Sequence, residues 1–142
     1  MQDKRWSLAV HGGAGTMDRA TMREAQQAGY QAALGAALDG GAAVLADGGS
    51  ALDAVEAAVV MLEDDPRFNA GRGAVFTYNG TNELDASIMD GRNRAAGAVT
   101  GVSHVRPPSS DRLTEIPVGE PRGVEPVPNG SVEIIQTSCS GS

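Results

Sequence analysis

Several stretches of this chain hold residues that could do chemistry. Glu63, Asp64 and Asp65 stand together in "LEDDPRFNAGRGAVF", Leu62 to Phe76. Three carboxylates could ligate Ca²⁺ or Mg²⁺, but the EF-hand spacing is absent and consecutive side chains at a helix end diverge. Two other readings stay open. One is a solvated helix end, which is uncomfortable because negative charge sits badly at a helix C-terminus. The other is a cation loop built from backbone carbonyls, since the last carbonyls of a helix lack intrahelical partners and could face an ion. "HGGAG", His11 to Gly15, is a second candidate. Its glycines let the backbone approach a ligand closely and present N–H groups to an anion, though a plain tight turn explains them equally well. His11 and His104 each read as structural histidines or general bases, the former being the commoner case.

The remaining candidates are weaker. Asp85 and Asp90 could pair as catalytic carboxylates, but five residues apart on a strand they point to opposite faces. A hydrolytic nucleophile needs an activated Ser, Thr or Cys. No Gly-x-Ser-x-Gly occurs, and Cys139 lies in "TSCSGS", outside the patterned part of the chain. A threonine freed by autocleavage would carry its own base, an α-amine of pKa about 8. Gly15-Thr16 and Gly80-Thr81 are the two Gly-Thr pairs, and neither opens an apolar strand.

The elements that must position these residues follow from patterning. "WSLAVHGGAG" reads as a buried strand entering a glycine loop. A helix is expected over about 18–46, with Gly40-Gly41 a weak point in it and Gly48-Gly49 its end. A second helix opens at Ser50, where Asp53 completes a capping box. Leu52, Val55, Val59 and Leu62 share a face of it, and Pro66 prevents its continuation. "AVFTY" and "ELDASIM" read as strands around a turn at 79–82, and a second turn at Asp90-Gly91 leads into a small-residue strand near Ala95 to Val102. Helices and strands segregate along the chain, which predicts a layered α+β architecture.

Composition bounds the rest. Eighteen Asp and Glu against eleven Lys and Arg argue against nucleic acid or an anionic membrane as partner. One cysteine makes neither an intramolecular disulfide nor a cysteine-based zinc site. No apolar run reaches the roughly 20 residues of a spanning helix, so a cytoplasmic protein is expected. Residues 1–106 contain 22 alanines and residues 107–142 none, whereas six of the seven prolines lie in the latter. This divides the chain into a patterned part, 1–106, and an irregular Pro/Ser-rich tail, 107–142, in which only "SVEII" resembles a strand.

Taken in order, "VHGGAG", "GGSALDAVEAAVVMLEDDPRFNAGRGAVF", "NELDASIMDG" and "AGAVTGVSHVRPP" resemble the amino-terminal part of the plant-type asparaginase and isoaspartyl-peptidase family. The likeness runs continuously over about residues 6–106. It implies the α-subunit half of an αββα sandwich of the N-terminal-nucleophile (Ntn) hydrolases. Such proteins cut themselves before a threonine, assemble as α and β subunits, usually as a dimer of such pairs, and hydrolyse L-asparagine and isoaspartyl dipeptides without an organic cofactor. The resemblance places a structural sodium loop on the main-chain carbonyls of Leu62, Glu63, Asp65, Phe68, Ala70 and Arg72. Asp65 and Arg72 differ from the commoner family residues, which carbonyl ligation tolerates. Asn69 matches the asparagine that helps place the nucleophile, and Gly12 and Gly13 match the glycine loop beside it.

After Pro108 no family pattern continues. The nucleophilic threonine is absent, and so are the other substrate-holding residues of the β subunit. A truncated, inactive α-subunit-like piece is therefore expected, needing a β subunit or second chain for activity, and a reading-frame shift after residue 106 would give the same text. Such a piece would expose strand edges and apolar surface and so tend to associate, for instance as a homo-oligomer. The alternatives are a non-catalytic binding or regulatory module on the same scaffold, or a remote hydrolase using Thr16 or Thr81.

Overall fold

The computed structural model describes residues 6–13, 21–103 and 132–133. The architecture is α+β. In chain order it comprises helix α1 (Glu24–Ala46), helix α2 (Ala51–Asp64), a single 3₁₀ turn (Gly71–Gly73), and strands β1 (Leu84–Asp90), β2 (Ala95–Val102) and β3 (Val132–Glu133).

Helix α1 begins later than expected, at Glu24, and residues 21–23 are not helical. The stop is local: Gln26 Oε1 accepts the Arg23 N–H at 3.3 Å, which satisfies the backbone just outside the helix. The other end closes where expected. Gly48, at φ 87°, donates to the Leu45 carbonyl, and Gly49 donates to that of Val44. After the four residues of this connection α2 starts on a complete capping box: Ser50 Oγ accepts the Asp53 N–H at 3.1 Å, and Asp53 Oδ2 accepts the Ser50 N–H at 3.1 Å.

The two helices pack antiparallel, with Gly41 against Ala54 and Ala58, and Gly40 against Met61. Gly41 is buried, and a Cβ added there would lie 2.8 Å from the Ala54 carbonyl oxygen and 2.7 Å from Leu8 Cδ2. The expected weak point is thus a place where α1 comes close to the α2 backbone, and a missing side chain is what permits it. The buried stripe of α2 is Ala54, Ala58 and Leu62; Leu52, Val55 and Val59 are only half-buried. Small residues win the interface because the helices approach too closely for larger ones. Below the seam, Ala37, Leu62, Phe68 and Ala70 form a core, joined by Tyr30, Ala33 and Leu34.

Two expected strands do not form. Residues 6–13 pair with no strand, although Leu8, Val10 and Gly12 turn inward with the period of two that the sequence shows. The segment lies along α1, with Leu8 at Gly41 and Gly12 at Leu34. Residues 74–78 also form no ladder. Their hydrogen bonds go to side chains instead: Asn69 Oδ1 accepts the Val75 N–H at 2.9 Å, and Asn82 Nδ2 donates to the carbonyls of Ala74 and Val75. Phe76 and Tyr78 consequently stand 71% and 92% exposed. The turn after them is real, with the Thr77 N–H bonded to the Thr81 carbonyl at 2.7 Å and Gly80 at φ 74°.

Strands β1 and β2 pair antiparallel as expected, and the sheet order is β2-β1-β3. The third strand is therefore the short one within "SVEII", Asp90 pairing with Val132, and not "AVFTY". The β1–β2 turn spans four residues. Its left-handed position is Arg94, at φ 63°, whose N–H meets the Asp90 carbonyl at 2.7 Å. At the other end of the pair, Ala86 faces Val99 but Leu84 faces Val102, so Thr100 and Gly101 together oppose Asp85. Asp85 Oδ1 ties this bulge, accepting from Thr100 Oγ1 at 2.6 Å and the Gly101 N–H at 2.9 Å.

Candidate functional site

The site grows out of the end of α2. Pro66 stops the helix, and the chain then turns back so tightly that glycine is required twice. A Cβ on Gly71, which has φ 48°, would lie 2.4 Å from the Glu63 carbonyl oxygen. A Cβ on Gly73 would lie 2.0 Å from that of Phe68 and 2.7 Å from that of Pro66. Backbone therefore packs on backbone carbonyls, in a cradle that side chains would fill. Of the six expected carbonyl ligands, Leu62, Asp65 and Ala70 each accept one N–H, from Asp65, Phe68 and Gly73 respectively. A carbonyl oxygen has two lone pairs, so one such bond leaves each able to face a cation.

The three acids separate as their spacing predicts. Glu63 is buried, at 3% exposure, Asp64 is exposed, and Asp65 turns onto Arg67. The Asp65 carboxylate accepts the Arg67 N–H at 2.9 Å and its Nη1 at 2.5 Å, an Asx-type turn locked by an ion pair. Among the described residues, no group of three or more His, Cys, Asp or Glu could hold a metal ion. A divalent site made of these carboxylates is therefore not built here.

Phe68 and Asn69 link the loop to the glycine segment. Phe68 is 4% exposed and meets Tyr30 edge to face at 5.8 Å between centroids. The Tyr30 hydroxyl donates to the Arg67 carbonyl at 3.1 Å, holding the loop to α1. A Cβ on Gly12 would lie 2.9 Å from Phe68 Cε1, so Gly12 and the residue preceding Asn69 are in direct contact. Gly13 has φ 114°, and no described residue lies within 4 Å of a Cβ added there. Asn69 is exposed, with its side-chain oxygen fixed by Val75. His11 Nδ1 accepts the Gly13 N–H at 3.2 Å, which makes it a local cap of the glycine turn.

The other candidates are not brought to this place. Asp85 binds the bulge and Asp90 binds Arg92, at opposite ends of β1. Hydrogen bonds from Arg92 hold the Asp90 carboxyl below the usual carboxylate range. Thr81 shares a hydrogen bond with Thr77 in the turn. Thr16, His104 and Cys139 lie outside the described residues. Asn82, which clamps the backbone of residues 74 and 75, was not singled out from the sequence. Its place in an Asn-rich turn was the only signal, and that signal points to the turn rather than to the clamp.

Fold and loop together define an α+β unit organised around the exit of its second helix, with a glycine segment laid against it. The family model described as Asparaginase matches residues 4–111, and the chain belongs to that family. It is 54% identical over 101 residues to the isoaspartyl peptidase of Salmonella typhimurium, covering 71% of this chain and 32% of that protein. It is 48% identical over 102 residues to the human isoaspartyl peptidase/L-asparaginase, covering 71% and 32%. The probable isoaspartyl peptidase/L-asparaginase 2 of Arabidopsis thaliana matches at 46% over 105 residues, covering 74% and 32%. The chain thus spans about a third of the length of the curated relatives it matches. Among the described residues no helix is long and apolar enough to cross a membrane.

Proposed function

We propose that this chain supplies the α-subunit half of an isoaspartyl peptidase/L-asparaginase, a cytoplasmic αββα Ntn hydrolase acting on L-asparagine and β-aspartyl dipeptides. The observation that carries the reading is the family match over residues 4–111, which includes the glycine segment, the whole helix-exit loop and the β1–β2 pair. In this reading the carbonyls of Leu62, Glu63, Asp65, Phe68, Ala70 and Arg72 hold a sodium ion. The close backbone approach at Gly71 and Gly73 fits such a cradle. A cation there would supply positive charge at the negative end of α2 and oppose the repulsion among converging carbonyl dipoles.

The residues of this chain then act by positioning. Asn69 is held through Oδ1, which leaves its amide N–H groups to orient a nucleophilic hydroxyl. Gly12 fixes the distance between the glycine segment and the loop. The nucleophile would be an N-terminal threonine of the β part, with its own α-amine as base. The sequence carries no Gly-Thr-Val-Gly-like stretch, so in this reading hydrolysis requires a β part from outside the 142 residues. Assay of the purified chain with L-asparagine and a β-aspartyl dipeptide is expected to give no turnover. Co-expression with the β part of the Salmonella relative is expected to restore it. Turnover by the 142 residues alone would refute this division of labour.

A further inference from the structure

A groove of about 450 Å³ lies where the first turns of α1 meet the loop after α2. Its described lining is Arg23, Ala25, Gln26, Gly29, Tyr30 and Arg67. Two arginines therefore line it, and no Asp or Glu is among its described lining residues, in a chain whose net charge is −7. Both arginines are also oriented from one side. Arg67 is held by Asp65 through its backbone N–H and Nη1, and lies against Gly29, where an added Cβ would sit 3.2 Å from Nε and 3.8 Å from Nη2. Arg23 Nε donates to Gln26 Oε1 at 3.4 Å. Tyr30 pins the Arg67 carbonyl, so the groove wall is fixed to α1. These bonds use one N–H of each guanidinium, out of five.

We propose that this groove is a binding site for a small dianionic oxyanion, phosphate or a phosphate monoester, held between Arg23 and Arg67. Planar guanidinium forks match the oxygens of phosphate, and two forks at one groove favour a charge of −2 over −1. Fixing each fork by a single bond removes part of the ordering entropy that a flexible arginine would lose on binding. Asp65 offsets part of the charge of Arg67, which makes the site a weak one whose occupancy falls with salt. The proposal is independent of the sodium loop and of hydrolysis, since it uses neither the loop carbonyls nor Asn69.

The test is calorimetric titration of inorganic phosphate into the full chain at low ionic strength. One saturable site is expected. Arg67→Gln and Arg23→Gln should each weaken it about five- to tenfold, the double variant should abolish it, and Arg94→Gln, on the β1–β2 turn, should leave it unchanged. In the unaltered chain, phosphate should slow phenylglyoxal modification of Arg23 and Arg67 but not of Arg94, a readout that needs no variant to fold. Succinate should compete more weakly than phosphate. Absence of saturable binding, equal weakening by Arg94→Gln, unprotected Arg23 and Arg67, or tighter binding of succinate would each overturn the proposal.

Discussion

Replacing Gly71 by alanine tests whether the helix-exit loop is closed by backbone packing. Two effects act at this position. Its φ of 48° is left-handed, which costs a residue with a Cβ about 1–2 kcal/mol. The same Cβ would lie 2.4 Å from the Glu63 carbonyl oxygen and 2.9 Å from its carbon. These are backbone atoms at the end of a helix and cannot rotate away, so relief requires moving the loop, an overpacking cost of about 1–3 kcal/mol. Gly80 is the control. It has φ 74° with no described residue within 4 Å of an added Cβ, so Gly80→Ala carries only the first effect. The expected losses are therefore about 2–5 kcal/mol for Gly71→Ala and about 1–2 kcal/mol for Gly80→Ala. Urea unfolding followed by far-ultraviolet circular dichroism measures both, provided the m-values agree. Equal losses at the two glycines would refute the close packing of Gly71 on Glu63, and with it the cradle.

Two further outcomes follow from other parts of the fold. Gly35→Ala, with no described residue within 4 Å, should stabilise α1 by about 1 kcal/mol, whereas Gly41→Ala should destabilise because its methyl meets the Ala54 carbonyl; thermal melts showing the same sign for both would contradict the helix seam. Arg92 lowers the Asp90 pKa, so the pair adds stability above the unfolded carboxylate pKa of about 3.9, and that gain is lost as pH falls through the folded pKa; the difference between the parent and Arg92→Gln should vanish in strong acid and shrink with salt, and a difference constant from neutral pH into strong acid would refute the linkage.

The parts legible in the sequence were those fixed by local chemistry. Ser50 with Asp53, the Gly48-Gly49 stop, the break at Pro66 and the β1–β2 pair each depend on residues close in the chain, and each formed where expected. The divergence of Glu63, Asp64 and Asp65 was legible for the same reason. What was not legible depended on partners. "SLAV" and "AVFTY" have strand-like patterns, yet a strand needs a neighbour to take its hydrogen bonds, and no strand pairs with them among the described residues. The exposure of Phe76 and Tyr78 follows from that. Gly41 depends on a partner in the same way. Helix propensity counts only the cost within one helix, whereas its value lies in the second helix that it admits. The role of Asn69 came from resemblance; its bond to Val75, six residues on, has no sequence signature.

The bulge on β2 has a consequence for how the sheet finds its alignment. Strand β2 reads Ala-Ala-Gly-Ala-Val-Thr-Gly-Val, nearly uniform in size and without charge. A ribbon of that kind could slide one step along β1 with little change in side-chain packing. Asp85 prevents the ambiguity, because only one alignment brings both the Thr100 hydroxyl and the Gly101 amide to a single carboxylate oxygen. The residue considered as half of a catalytic pair works as an index mark, giving a nearly featureless strand its zero point.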